Sequence, residues 1–132
     1  MRRALGSADD GAAVVDFVMV SVLLLVLFLM VLQVGIAFHV RNVVAASAAE
    51  GARYGAAANR TPAQGAARAQ AVIADALGSK VSRSIRCTAG PTTSVRGAAV
   101  VDIVCAGPLP IVFGAAPAMW IAVHGHAFEE SR

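Results

Sequence analysis

From Phe17 to Phe38 the chain runs for about 22 residues without a fixed charge, and the next charged side chain after Asp16 is Arg41. At about 1.5 Å rise per residue, a helix of that length crosses a hydrocarbon core of about 30 Å. In water the many valines would make a mediocre helix. In lipid no solvent is available to the backbone, so every N–H and C=O must pair within the segment and a helix is forced.

The stretch opens on Gly11-Ala12-Ala13-Val14-Val15-Asp16-Phe17. A carboxylate in hydrocarbon costs about 2.5–3.5 kcal/mol at a helix centre and less near the interface. Two readings of Asp16 stand. In one it sits in the headgroup layer, where its charge favours the helix N-terminus. In the other the chain is cut after Gly11, Ala12 gains a free ammonium, and Asp16 lies about one helical turn further in. Such a pair is directional in low dielectric, and losing one partner strands the other charge. It would set the axial register of packed helices.

Outside the apolar run, on the order of 100 residues remain, enough for one small domain with a thin core. The formal net charge is +3, and the arginines are spread from Arg2 to Arg132 with little aromatic interleaving. That distribution excludes nucleic-acid binding as a useful reading. Cys87 and Cys105 lie in β-branched runs beyond the span; an even count suits one disulfide in an oxidising compartment. Arginines flank the span on both sides, so the positive-inside rule gives no orientation. The cysteine pair favours a cytoplasmic N-terminus and an extracytoplasmic C-terminal domain.

The apolar helix is expected to continue through the alanine-rich, proline-free stretch 39–58, with Glu50 and Arg53 at pairing distance. Gln33 and Gly35 suit either close helix packing or an approach to the interface. Thr61-Pro62-Ala63-Gln64 carries a capping box with proline at the first helical position. Ala66, Ala69, Val72, Ile73, Ala76 and Leu77 then form an apolar helical face ending at Gly78. Alternation predicts a strand over 81–87. A turn or loop follows at 90–93, and a second strand at 98–105 completes a hairpin that could set Cys87 near Cys105. The pattern breaks at 107–110, is ambiguous over 111–117, and resumes as a third strand over 119–128.

No nucleophile–base set, phosphate loop or Cys-x-x-Cys is present. His124 and His126 share a strand face, but the sequence reveals no third ligand, and a structural zinc needs four. They are read as solvated strand histidines, with no metal and no cofactor assigned. Asp102, inside an apolar strand, reads as an edge residue or a salt-bridge partner.

The Gly11–Phe17 run resembles the leader junction of the TadE-like minor pilins (pseudopilins) of the tight-adherence, or Flp-type, pilus. Ala48-Ala49-Glu50-Gly51-Ala52-Arg53-Tyr54 resembles the alanine-rich segment that follows the membrane helix in that family. The likeness covers roughly residues 10–58. It implies cleavage between Gly11 and Ala12 by a prepilin peptidase. It also implies a register role for Asp16, where the family usually has glutamate, and for Phe17, and a family motif in Glu50, Gly51, Arg53 and Tyr54. The implied partners are membrane lipid, other pilin-like subunits and an inner-membrane assembly platform. The implied role is assembly, not catalysis.

The expected fold is a membrane-anchored α+β protein. It has a long N-terminal transmembrane helix continuing outside the membrane, a second short helix and a small antiparallel β-sheet. The expected divisions are a leader at 1–11, the helix at 12–58 and an extracytoplasmic domain at 59–132. The expected place is the cell membrane, single-pass. Two other readings remain. Ala46-Ser47-Ala48 resembles a signal-peptidase site, which would release a small secreted domain, although the apolar run exceeds the 7–15 residues typical of a signal peptide. The other is a single-span anchored binding protein.

Overall fold

The computed structural model describes residues 7–109 and 119–129. The expected leader up to residue 6, the ambiguous stretch 111–117 and the polar tail beyond Glu129 fall outside them. The elements are α1 (Ser7–Ala56), α2 (Pro62–Leu77), α3 (Ser79–Ser84), β1 (Arg86–Ala89), β2 (Thr93–Val95), β3 (Ala98–Pro108) and β4 (Trp120–Phe128). The chain divides into two compact units at the bond between Gly35 and Ile36.

The first unit is helical. Its large apolar side chains from Val14 to Val34 are almost all exposed, Phe17 at 72% among them. A helix that is apolar on every side has the composition of a membrane span. Among the described residues, α1 is long and apolar enough to cross a membrane from Gly11 onward. Membrane anchoring is consistent with this segment.

The second unit holds the core. From Ile36 the helix pattern changes: Val40, Val44, Ala48, Ala52 and Ala56 recur every four residues and are all buried. This spacing lines one helix face. The side chains shrink along it from valine to alanine, so other elements approach the α1 backbone closely. Asn59, with φ 67°, turns the chain beyond α1. Thr61 then caps α2: its hydroxyl accepts from Gln64 N at 3.2 Å, and Gln64 Oε1 accepts from Thr61 N at 3.0 Å. Gly78, at φ 82°, closes α2, and its N–H donates to Ala74 O.

Residues 79–84 depart from the sequence expectation. They form α3, not the first part of a strand over 81–87. Val81 and Ile85 stand four apart, so a pattern that alternates also satisfies a helical face. Ser82 is buried beneath Gln70, whose amide donates to its hydroxyl. The strand begins instead at Arg86.

The sheet is antiparallel and centred on β3. β4 pairs along one edge, with Asp102 opposite His126 and Val104 opposite His124. β1 and β2 share the other edge end to end, Cys87 opposite Cys105 and Thr93 opposite Val100. The expected hairpin is thus corrected in two respects: its long connection contains β2, and β3 extends through Gly107 and Pro108 where a break was expected. Arg96 and Gly97, both with positive φ, form the two-residue turn from β2 to β3. Positive φ at both central positions matches the right-handed strand twist.

One sheet face, with Val101, Ile103, Cys105 and Ile121, joins the helices in a common core with Ile73 and Ile85. Cys87 and Cys105 are disulfide-bonded on that face. The other face carries Asp102, His124 and His126.

Candidate functional site

The Gly11–Ala12 bond lies inside α1. Glycine in a helix interior is about 0.8–1.0 kcal/mol less favourable than alanine, which eases local unwinding there. A Cβ at Gly11 would meet nothing within 4 Å, so the bond has open space around it. Ala12 and Asp16 are four apart on one helix face. Asp16 and Phe17 are both exposed.

The segment 50–54 is a docking device within the second unit. Gly51 faces α2: a Cβ there would stand 2.5 Å from Gly65 O and 2.8 Å from Ala69 Cβ. Gly55 is close as well, though less tightly: a Cβ there would stand 3.2–3.3 Å from Thr61 O, Pro62 Cα and Gly65 Cα. Small residues four apart on both helices let the two backbones touch. Ala52 is fully buried. Glu50 lies 3.4 Å from Arg53, as the sequence predicts, and 3.8 Å from Arg68 on α2. These pairs are solvent-exposed, a setting worth about 0–1 kcal/mol, so they orient α2 more than they hold it. The Arg60 guanidinium stands 4.7 Å over the Tyr54 ring.

Two groupings escaped the sequence. Gln70 joins α2 to α3 and β1: its amide nitrogen donates to Ser82 O, Ser82 Oγ and Ile85 O, and its oxygen accepts from Cys87 N. No local pattern marks this residue. The second grouping is Asp102 with the two histidines. His124 Nδ1 is 3.3 Å from Asp102 Oδ2, and His126 Nε2 is 3.4 Å from Asp102 Oδ1. The salt-bridge reading of Asp102 agrees with this. The parity of strand positions, combined with the β3–β4 register, would have found the third member.

The described structure defines a class: a small α+β protein carrying one long apolar helix that can anchor it in a membrane. Within that class, residues 11–53 match the family model of the TadE-like proteins. The matched segment takes in the Gly11–Phe17 run, the exposed apolar helix and the first four residues of the 50–54 docking segment. It is consistent with a TadE-like protein of the tight-adherence pilus system. No curated protein and no solved structure matches the chain.

Proposed function

We propose that the chain is a minor pilin, or pseudopilin, of a tight-adherence (Flp-type) pilus system. The TadE-like family implies involvement in such systems. The observation that carries the finer reading is the extent of the family match, which begins at Gly11 and runs through the exposed helix to Arg53.

On this reading the N-terminus faces the cytosol, and a prepilin peptidase removes the first eleven residues. The Ala12 ammonium then pairs with Asp16 in its own or a neighbouring helix. Similar apolar helices pack side by side in the membrane, where dispersion and helix–helix hydrogen bonds drive association. The pair fixes their axial stagger, because a mismatched stagger strands a charge in low dielectric. The disulfide-bonded domain is carried outside, and other pilin-like subunits and an inner-membrane platform are the partners. The chain acts as a structural subunit and a peptidase substrate.

N-terminal sequencing of protein extracted from membranes tests this directly. The expected first residue is Ala12, and Gly11→Glu is expected to retain the leader. Normal trimming of that variant defeats the cleavage claim. Asp16→Ala is expected to insert normally but to co-purify poorly with other pilin-like subunits. Undiminished association would remove the register role.

A further inference from the structure

We infer that Asp102, His124 and His126 form a binding site for one divalent transition-metal ion of the zinc group on the solvent-facing side of the sheet. The inference does not rest on the pilus reading. Antiparallel register sets His126 directly opposite Asp102, with His124 two residues away on the same face. One potential ligand atom from each residue can be chosen so that all lie within 4.8 Å of one another. Bonds of about 2.0–2.1 Å at tetrahedral angles place ligand atoms roughly 3.3–3.4 Å apart. Each imidazole has this spacing to one carboxylate oxygen, His124 Nδ1 at 3.3 Å from Oδ2 and His126 Nε2 at 3.4 Å from Oδ1, and a small turn of the carboxylate would bring one oxygen between the two rings. The imidazoles are 53% and 59% exposed, so modest side-chain rotation closes the remaining separation.

A second observation points the same way. Asp102 Oδ1 is buried and accepts no hydrogen bond. His126 Nε2 approaches it at an ion-pair distance without hydrogen-bond alignment. A buried carboxylate oxygen without a donor is costly, and such an atom calls for an explanation. A bound cation supplies one. The two rings are stacked nearly parallel, 8° apart with centroids 5.9 Å apart, and both present nitrogen to the same carboxylate. Gly90 lies tight against the carboxylate: a Cβ at that position would stand 2.7 Å from Asp102 Oδ2.

The donor set selects the ion. Calcium and magnesium take oxygen ligands. Two imidazoles with one carboxylate suit zinc, copper, nickel or iron. Three protein ligands leave the fourth position to solvent, as in open zinc sites. The ion would tie β3 to β4 on one face of the sheet, while the disulfide ties β1 to β3 on the other.

The test uses the full chain, free of any histidine tag, in detergent micelles after chelator treatment. Zinc chloride titration by calorimetry should give one ion per chain with micromolar affinity. Cobalt(II) should add visible absorption bands of a low-symmetry site. His126→Ala and Asp102→Asn should each weaken zinc binding about tenfold or more, and His39→Ala should leave it unchanged. Because the histidines are exposed, the His124→Ala, His126→Ala double variant keeps the question answerable even if Asp102→Asn misfolds. Unaltered one-to-one binding in that double variant, or no saturation below millimolar zinc in the parent chain, overturns the assignment.

Discussion

A methyl group added at Gly51 would strike the Gly65 carbonyl and the Ala69 methyl. Neither can swing away as a long side chain would, so α2 itself must shift. Gly51→Ala should therefore lower stability by about 1–3 kcal/mol, the usual cost of overpacking. Thermal unfolding in detergent, followed by circular dichroism, reads this as a lower midpoint; an unchanged midpoint contradicts the close approach. Gln70 offers a second case. Gln70→Leu keeps the bulk but strips a donor from Ile85 O and an acceptor from Cys87 N. Each buried group left unpaired costs about 1–3 kcal/mol. Denaturant unfolding should move to lower concentration, and faster amide exchange at Cys87 would localise the loss. The Glu50–Tyr54 segment was visible in the sequence as a pattern. Its meaning was not, because Gly51 is understood only with Gly65 against it.

Elements whose ends carry their own chemistry were legible. α2 was read with its cap, its first proline and its closing glycine, and all three are present. Thr61→Ala removes the oxygen that accepts from Gln64 N, and should cost about 1 kcal/mol. A lower unfolding midpoint with an unchanged fold checks it; no change would mean that α2 is held by packing alone. Elements defined by distant partners were less legible. Residues 81–85 satisfied a strand pattern and a helical face at once, and the helix is held by contacts with Gln70 and the core that the sequence does not reveal. β2 went unseen because three exposed residues carry no periodicity. Its turn was missed because Arg96 adopts a conformation that asparagine or glycine ordinarily takes.

At the scale of the whole molecule, the long apolar helix was legible because a long uncharged segment that meets lipid has one solution. The cysteine pairing was suggested by the even count of two, and the β1–β3 register, which the sequence does not give, sets Cys87 opposite Cys105. The histidine–aspartate grouping was not legible, because it needs two strands to be aligned. The disulfide spans 18 residues of sequence. Closing a loop of that size stabilises by about 3 kcal/mol in the chain-entropy account. Denatured, unreduced protein should show no reactive thiol, and reduction should lower the unfolding midpoint. Two titratable thiols would refute the bridge.

Gly125 seats its backbone against Ala48 and Ala49, and β4 is the last described element in chain order. A ribosome making this chain thus delivers the alanine strip of α1 long before the strand that covers it. The far end of the strip, at Gly51 and Gly55, is met first by α2, whereas Ala48 and Ala49 wait for β4. Contacts so distant in sequence also close slowly. A chain stopped short of residue 125 would hold its long apolar helix but lack the backbone that seats against Ala48 and Ala49.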